Sequence, residues 1–301
     1  MRPDGDGQLR AHVTMHAVEA GVLARAAGAA SSLARDLELP VEDVVVVHNS
    51  NMVGLRLLPC NAFARTALVG QEVAAFEMAV ARSLGAVSAP VAALDPRVEP
   101  RVYKRDGFAV TFWTYYESVT DTASPAAYAN ALHRLHAAMR RIEDAAPHFT
   151  ERVADAEGLL TNRDQSPDLV EADRALLLDT LRSAREAIRR RSDAEQMLHG
   201  EPHAGNLLST RSGLLFIDFE TCCRGPIEFD VAHVPEEFSG RYPGVDPLLL
   251  QDCRRLVLAM VAAWRWDERD EFPNGRWHGL NILRLLRNGP PWPALGALST
   301  G

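Results

Sequence analysis

The first part of the chain has a composition typical of a helix and then short apolar runs typical of strands. Residues 19–37 are rich in Ala and Leu and predict a helix that Pro40 ends. Three short runs then predict strands, at residues 44–47, 53–58 and 62–68. A polar turn, His48-Asn49-Ser50-Asn51, separates the first two strands.

One helix and one further strand complete this N-terminal pattern. Apolar side chains recur at steps of three and four, which places Val73, Phe76, Val80 and Leu84 on one face of a helix. Gly85 and Pro90 are expected to end that helix. The aromatic and β-branched run at residues 107–117 predicts another strand. Short strands with little helix between them indicate a small antiparallel sheet.

The second half of the chain is predicted to be mostly helical. Ser124 followed by Pro125 is typical of a helix N-cap and first turn, and an apolar stripe continues from it through Tyr128, Leu132, Leu135, Met139 and Ile142. Later helices are predicted around residues 177–188 and 256–264, whereas residues 147–167 are predicted to be a polar connection. The predicted fold class is α+β, with a small antiparallel-sheet lobe at residues 1–113 and a larger, mostly helical lobe at residues 114–301.

Composition and charge exclude two kinds of partner. The chain has 32 basic and 40 acidic residues, a formal charge of −8, whereas nucleic-acid binders usually present a basic surface. The run Arg189-Arg190-Arg191 lies where a helix is predicted to end, and cations there interact favourably with the helix dipole. The apolar run at residues 256–264 is much shorter than a membrane span. We therefore expect neither a nucleic acid nor a membrane as partner.

The start of the chain and its cysteines bear on the compartment. The residues after Met1 are polar and lack the apolar region of a secretory signal, so we expect a cytoplasmic protein. The four cysteines do not show the spacing of zinc ligands and are expected to be reduced thiols.

The clearest chemical signal lies between positions 199 and 220. Residues 199–206, HGEPHAGN, fit the pattern H-G-[D/E]-x-x-x-x-N, and Asp218 follows Asn206 by twelve residues. Residues 206–210 and 214–217 predict two strands joined by a tight turn. A hairpin of this length would bring Asn206 and Asp218 together at its open end, with Glu201 on the preceding loop.

This arrangement meets the needs of phosphoryl transfer. A carboxylate such as Glu201 can accept or orient the proton of a hydroxyl group. The amide oxygen of Asn206 and the carboxylate of Asp218 suit Mg²⁺, which prefers oxygen ligands. The segment also contains H-x-E-x-H, which points to a zinc hydrolase, but that pattern needs both His on one helix and Pro202 disfavours a helix there.

These residues resemble the aminoglycoside phosphotransferase (APH) superfamily, relatives of the protein kinases that phosphorylate small molecules. The resemblance implies a two-lobed protein-kinase-like fold in which Glu201 is the catalytic base and His199 orients the loop. It also implies Asn206 and Asp218 as Mg²⁺ ligands. The family usually carries Asp where this chain has Glu201. The extra methylene moves the carboxylate by about 1 Å, and such a displacement can lower a rate about a hundredfold.

Two acids downstream and three histidines complete the implied catalytic lobe. Glu220 has two equal interpretations, a metal ligand or a cap for local backbone amides, because in a strand it would share a face with Asp218. The resemblance is strong over residues 198–230 and implies that Asp230 is a structural carboxylate. The histidines near the motif are expected to be structural: His133, His136 and His203.

The resemblance also implies a nucleotide site in the sheet-rich lobe, although the chain has no Gly-rich loop. The candidate residues are Asn49, Ser50, Asn51, Arg65, Glu77, Trp113 and Tyr115. The polar turn would contact phosphates, Arg65 would replace the family's strand lysine, and residues 112–117 would form the hinge beside adenine. Glu77 would pair with Arg65, with Glu72 as the alternative. Each candidate also has a structural explanation. The polar turn can be a plain hairpin turn, Trp113 can be a core aromatic, and Glu77 or Glu72 can be a solvated charge on a helix.

We therefore expect a Mg²⁺- and ATP-dependent phosphotransferase that acts on a hydroxyl of a small molecule, with GTP left open as donor. Aminoglycoside-like antibiotics and small metabolites are the acceptors that the family suggests. A cationic acceptor is one alternative, since acids in the last third would attract it if they lined a cleft; otherwise they form a solvated surface. These acids are Glu228, Glu236, Glu237, Asp252, Asp267, Glu268, Asp270 and Glu271. A monomer and a homodimer both fit the sequence.

The competing hypothesis is a nucleotide-binding pseudokinase that senses or scaffolds. Glu201 in place of Asp, the missing strand lysine and the missing Gly-rich loop favour it. The retained Asn206 and Asp218 argue against it, because a protein without catalysis has no need for two Mg²⁺ ligands at this spacing.

Overall fold

The computed structural model describes residues 20–49, 52–68, 73–119 and 123–295. These residues form two compact units. The first unit contains residues up to 79 together with residues 94–115, and the second contains residues 80–93 and the chain from residue 116 onward.

The first unit is an antiparallel sheet with one helix against it. Its elements in chain order are α1 (Ala20–Asp36), β1 (Val41–Asn49), β2 (Val53–Pro59), β3 (Ala62–Leu68), the start of α2 (Val73–Ala86), β4 (Tyr103–Arg105) and β5 (Phe108–Thr114). The five strands lie in the order β1-β2-β3-β5-β4, and each neighbouring pair is antiparallel.

The core of the first unit lies where α1 packs on the sheet. Ala26 and Ala30 are fully buried, and their small side chains allow the helix to approach the strands closely. Leu33 joins the same buried cluster as Leu55 and Leu57 of β2. Because one face of each strand is needed for this contact, the alternation of apolar and polar residues along β2 and β3 sets their register.

The predicted order of elements in this unit is confirmed, and β3 has the predicted bounds. β1 is longer than predicted, because its pairing with β2 includes His48 and Asn49, which were expected in the turn. Ser50 and Asn51 lie outside the described residues. β4 was not predicted, since three residues are too few to show a periodicity.

The second unit is mostly helical. Its elements after α2 are α3 (Pro125–Met139), α4 (Phe149–Thr161), α5 (Glu171–Arg191), β6 (Gln196–Leu198), β7 (Leu207–Thr210), β8 (Gly213–Phe216), β9 (Cys223–Gly225), α6 (Ile227–Val231), α7 (Glu236–Ser239), α8 (Pro247–Trp264) and α9 (Gly275–Asn288). Two short 3₁₀ turns, Ala204–Asn206 and Phe219–Thr221, flank the β7-β8 hairpin. β6 pairs with β9 in a second antiparallel ladder.

The helices of the second unit begin where the sequence supplies caps. Ser124 accepts the backbone N–H of Ala127 over 3.2 Å and begins α3, as predicted. Asp246 accepts two backbone N–H groups and begins α8, with Pro247 at its first position. α8 is buried along most of its length because it packs against α4, α5, α6 and α9.

The prediction of a polar connection at residues 147–167 is wrong, because α4 occupies most of that segment. The helix begins with a capping box, in which His148 accepts a backbone N–H and Glu151 accepts the backbone N–H of His148. A histidine is an uncommon N-cap, so the start signal was missed. None of the helices in the described ranges is long and apolar enough to cross a bilayer.

The buried stripe of α3 predicts a large effect of truncation. Leu135 is completely buried, so we expect Leu135→Ala to lower the free energy of unfolding by about 2–5 kcal/mol, because it removes apolar contacts and leaves a cavity. Leu248 is 62% exposed, and Leu248→Ala should change that free energy by less than about 0.5 kcal/mol. Urea unfolding followed by tryptophan fluorescence measures both. Equal effects of the two variants would contradict the packing described here.

Candidate active site

The motif residues 199–206 form a loop between β6 and β7. We call this segment the catalytic loop. Its last residues make the 3₁₀ turn Ala204–Asn206, and the ring of His203 caps this turn by accepting the backbone N–H of Gly205 over 3.0 Å. This is the structural role that the sequence predicted for His203.

A buried carboxylate holds the start of the catalytic loop. Asp230, on α6, accepts the backbone N–H groups of His199 and Gly200, each over 2.8 Å. Nε2 of His136 donates to the same carboxylate over 2.8 Å, and the Tyr242 hydroxyl donates to Nδ1 of His136 over 2.6 Å. The prediction that Asp230 is a structural carboxylate is confirmed, and so is the structural role of His136.

Asp230 is charged although it is buried. Burial by itself would raise the pKa of Asp230, but the interactions that favour its charged form, foremost the hydrogen bond from His136, together more than offset it, so the pKa lies below its ordinary value. An ionised carboxylate accepts stronger hydrogen bonds than a neutral one. The charge therefore strengthens its hold on the loop.

Gly200 is a position where only glycine fits. Its φ is +90°, and a Cβ built there would lie 2.0 Å from the carbonyl oxygen of Thr221. Thr221 in turn donates its hydroxyl to the carbonyl of His199 over 3.2 Å. The catalytic loop therefore lies directly against the segment that follows Asp218.

His199 links the same two segments through its side chain. Its Nε2 donates to the carbonyl of Ile217 over 3.0 Å, next to Asp218. Burial lowers the pKa of His199, so its ring is neutral and keeps this N–H donor. The side chain therefore links the backbone on both sides of the site.

The hairpin prediction is confirmed. β7 and β8 pair from Leu207 with Phe216 to Thr210 with Gly213. At the open end the backbone N–H of Ile217 donates to the carbonyl of Asn206 over 3.1 Å. Asn206 therefore lies beside the residue that precedes Asp218.

The side chain of Asn206 is oriented by the catalytic loop. Its Nδ2 donates to the carbonyl oxygen of Glu201 over 3.0 Å. Among the described residues, the hydrogen bonds of this side chain involve Nδ2 and leave Oδ1 available. An amide held in this way presents an oxygen, the atom type that a hard cation binds.

Asp218 has a backbone conformation that the sequence did not reveal. Its φ and ψ are 70° and 69°, in the left-handed region, and the 3₁₀ turn Phe219–Thr221 follows it. The argument that Glu220 shares a strand face with Asp218 is therefore wrong, because these residues do not form a strand. A left-handed conformation is unfavourable for a residue other than Gly, and such residues concentrate at functional sites.

The oxygen groups at the open end of the hairpin fit an open Mg²⁺ site. In the described ranges, no cluster of three or more His, Cys, Asp or Glu side chains could enclose a metal ion. Mg²⁺ usually takes one or two carboxylates and completes its shell with water and phosphate oxygens. Asn206 and Asp218 match that incomplete set.

Glu201, the candidate base, is paired with an arginine. Nη2 of Arg152 on α4 donates to Oε1 of Glu201, and both side chains are about 10% exposed. Burial by itself would raise the pKa of Glu201, but Arg152 and, to a smaller extent, His203 and His233 together more than offset it, so the pKa lies below its ordinary value. The carboxylate is therefore ionised at neutral pH.

Comparison with known proteins decides the family. The sequence model of the phosphotransferase enzyme family, APH, matches residues 62–272 of this chain. The chain belongs to this family. The match includes β3, α2, the catalytic loop and the segment after Asp218.

Solved structures of other phosphotransferases share the fold. The amicoumacin kinase hAmiN, in complex with AMP-PNP and Ca²⁺, has 12% identity and a TM-score of 0.67, and the match covers 91% of this chain and 98% of that one. The spectinomycin phosphotransferase APH(9)-Ia, in complex with ADP, has 13% identity, a TM-score of 0.57, and coverage of 94% and 98%. The choline kinase LicA from Streptococcus pneumoniae has 14% identity, a TM-score of 0.62, and coverage of 85% and 96%. A search of curated proteins gave no match.

In the first unit of this APH phosphotransferase, Arg65 and Glu77 form the predicted ion pair. Arg65 lies on β3 and Glu77 on α2, where Glu77 is 1% exposed. A second guanidinium nitrogen of Arg65 contacts Sδ of Met52 over 3.1 Å. The pairing that the sequence predicted is present.

The remaining candidate nucleotide residues differ in their surroundings. Trp113 is 4% exposed and donates its indole N–H to Oγ1 of Thr111 over 2.9 Å, so its ring is part of the core. The Tyr115 ring stacks against the guanidinium of Arg56, 4.1 Å from it. Asn49 is the exposed last residue of β1.

The acids of the last third have mixed surroundings, and Glu237, Glu268 and Glu271 are exposed to solvent, as one of the two alternatives predicted. Many of them pair with arginines: Glu236 with Arg254, Asp252 with Arg191, Asp267 with Arg269, and Asp270 with Arg265. Glu228 is buried and accepts the backbone N–H of Asp246 over 3.0 Å. These ion pairs offset the negative charge that would have attracted a cationic acceptor.

Two residues that touch the catalytic loop were missed by the sequence reasoning. Arg152 was missed because its segment was predicted to be a connection, although the capping box at His148 would have indicated the helix. Tyr128 was predicted only as a core residue, but its buried hydroxyl donates to the carbonyl of Pro202. The contact joins residues 74 positions apart, and no local pattern signals it.

The geometry of Gly200 predicts a specific failure. Gly200→Ala should abolish phosphotransferase activity and lower the melting temperature, because the new Cβ collides with the Thr221 carbonyl and the backbone is strained at positive φ. Gly158→Ala on α4 is the control, since a Cβ there meets nothing within 4 Å. It should leave activity unchanged and the melting temperature equal or higher. Differential scanning calorimetry and an activity assay measure both, and a fully active Gly200→Ala would contradict this geometry.

The charge of Asp230 predicts a pH dependence of stability. Its pKa is lowered in the folded state, so its stabilisation is fully present above the ordinary Asp pKa of 3.8 and is lost as pH falls through the folded-state value. Asp230→Asn should lower the free energy of unfolding by roughly 3 kcal/mol at neutral pH, since buried donors lose their charged acceptor. The difference from the wild type should shrink below about pH 4. Urea unfolding at several pH values measures it, and a difference that is constant with pH would refute the assignment.

Proposed function

We propose that this APH phosphotransferase transfers the γ-phosphoryl group of ATP to a hydroxyl of a small molecule. One observation carries the proposal. The catalytic loop, the end of the hairpin and the segment after Asp218 are joined by hydrogen bonds through His199, Asn206 and Thr221. These bonds hold a base candidate and two oxygen ligands in one rigid arrangement, as phosphoryl transfer requires.

Glu201 is the proposed base, supported by its position in the loop and by its charge. As an ionised carboxylate it would accept or orient the proton of the acceptor hydroxyl while the oxygen attacks phosphorus. His199 acts on the backbone of the site, since its donor is engaged by Ile217.

Asn206 and Asp218 are the residues that would hold Mg²⁺, and Glu220 stays a further candidate ligand. A bound Mg²⁺ would neutralise the negative charge of the phosphates. The chain's own contribution is to keep the amide oxygen and the carboxylate in place, through the Glu201 carbonyl and the left-handed backbone at Asp218.

The nucleotide site is proposed in the sheet-rich lobe, residues 1–113, and the acceptor site in the helical lobe, residues 114–301. The Arg65–Glu77 pair supports this, because it is an anchored cation where the family has a strand lysine. Asn49, Ser50 and Asn51 are proposed to contact the phosphates, and the backbone from Trp113 to Tyr115 is proposed to contact adenine. ATP is the proposed donor, and GTP is the alternative.

The acceptor is proposed to be a small hydroxylated molecule. The structures that match this fold are named for kinases of amicoumacin, spectinomycin, choline and fructosamine, and these names support an antibiotic or a metabolite. Because arginines pair with four of the eight acids of the last third, a cationic acceptor has less support than the sequence suggested.

A nucleotide-binding pseudokinase is the second candidate, and the Arg152–Glu201 pair is the observation that favours it. A carboxylate held by an arginine is a weaker proton acceptor, because the arginine stabilises its charged form. Turnover decides between the two functions.

The test is Mg²⁺-dependent consumption of ATP against a panel of aminoglycosides, other antibiotics, amino alcohols and sugars. We expect the wild type to phosphorylate an acceptor, and Glu201→Gln to lower kcat at least about a hundredfold, with nucleotide affinity unchanged, because the base is lost. Glu157→Gln is the matched control, since Glu157 also pairs with an arginine, Arg185, over 3.1 Å, but lies outside the catalytic loop. Nucleotide binding without turnover in the wild type would establish the pseudokinase instead.

A further inference from the structure

Arg152 lies beside the candidate base but outside the catalytic loop. It occupies the first turn of α4, whose start is fixed by the capping box of His148 and Glu151. The adjacent Phe149 ring is 2% exposed, and a Cβ added at Gly225 would meet it at 2.9 Å. The backbone that carries Arg152 is therefore tightly packed and held in place.

The guanidinium of Arg152 contacts the catalytic loop at two points. Nη2 donates to Oε1 of Glu201, and Nη1 donates to the carbonyl of Gly200 over 3.4 Å. The guanidinium also lies 5.1 Å from the centroid of the Trp264 ring, within the range of a cation–π contact. One side chain thus ties both the backbone and the carboxylate of the loop to α4.

The contact leaves one oxygen of the carboxylate available. Among the described residues, the hydrogen bonds and ion pairs of the Glu201 side chain involve Oε1. The Glu201 side chain is 10% exposed, and its Oε2 atom is not buried without a partner, so this oxygen can be reached from solvent. The ion pair therefore fixes one oxygen and leaves the other accessible to a ligand.

A purely stabilising role explains this pair poorly. Burying two opposite charges costs desolvation energy that their attraction roughly offsets, so apolar residues would serve a stabilising contact equally well. Orientation is the better explanation, because Glu has one more rotatable bond than Asp and needs a restraint to present its carboxylate in one place. The catalytic loop itself contains no Lys or Arg that would supply the restraint.

We propose that Arg152 is a positioning residue, which holds the Glu201 carboxylate through Oε1 so that Oε2 meets the acceptor hydroxyl. This inference rests on the proposed function. Arg152 and Glu201 then form a matched pair, in which an arginine from α4 compensates for the longer acid. The shorter Glu201→Asp side chain would retract from Arg152 and lose the contact.

Crystal structures of variants test the positioning without any turnover. In Arg152→Gln the Glu201 carboxylate should move by about 1 Å or more, whereas in Arg152→Lys it should stay in place. Arg185→Gln is the matched control. It removes an arginine of α5 that pairs over 3.1 Å with Glu157, which lies on α4 like Arg152. It should leave Glu201 unmoved. An unmoved Glu201 carboxylate in Arg152→Gln overturns the proposal.

Steady-state kinetics with Mg²⁺-ATP test whether this positioning affects turnover. The acceptors are water and each hydroxyl compound that the panel identifies. Arg152→Gln should lower kcat about a hundredfold while the KM for ATP changes less than about twofold, and Arg152→Lys should recover most of the loss. Glu201→Asp should also be slower than the wild type, and it keeps the test decisive if Arg152→Gln does not fold. Wild-type kcat in either Arg152→Gln or Glu201→Asp, or an equal loss in Arg185→Gln, overturns the proposal. A wild type that consumes no ATP refutes the proposed function alone, because the crystal structures still decide whether Arg152 fixes Glu201.

Discussion

The site depends on one buried charge, the carboxylate of Asp230. It accepts two backbone N–H groups of the catalytic loop and one ring N–H of His136, so its buried charge is matched by three donors. With Asp230 in place, Gly200 can adopt its positive φ against Thr221, and His199 can reach Ile217. The positions of the proposed base and of the proposed metal ligands follow from this arrangement, because all of these residues lie on segments that these contacts join.

The sequence predicted the parts of the site that are local in the chain. Asn206 and the residue before Asp218 meet because a short hairpin separates them, and a hairpin is set by strand length and turn residues within twelve positions. The structural role of Asp230 followed from the family resemblance, whereas the need for glycine at position 200 became evident only from the backbone of the loop. The ion pair of Arg65 with Glu77 was also predictable, since it joins a strand to the next helix.

What the sequence did not predict are the contacts between distant segments and the unusual backbone. Arg152 meets Glu201 across 49 positions, and an arginine on a helix normally suggests a solvated charge. The left-handed conformation of Asp218 leaves no trace in the pattern of apolar residues, which is why the strand argument for Glu220 failed. The pairing of the acids with arginines is likewise a tertiary property, so a list of acids suggested an acidic surface where ion pairs formed.

Asn206 and Asp218 are the proposed Mg²⁺ ligands, on segments joined to the loop that Asp230 holds. Titration calorimetry of AMP-PNP with and without Mg²⁺, on the wild type and on Asp218→Asn, tests this proposal most directly. The account predicts that Mg²⁺ tightens binding to the wild type at least about tenfold, because the cation links the phosphates to the carboxylate, and that Asp218→Asn removes most of this gain. Equal affinity with and without Mg²⁺ in the wild type, or an undiminished gain in Asp218→Asn, would contradict it.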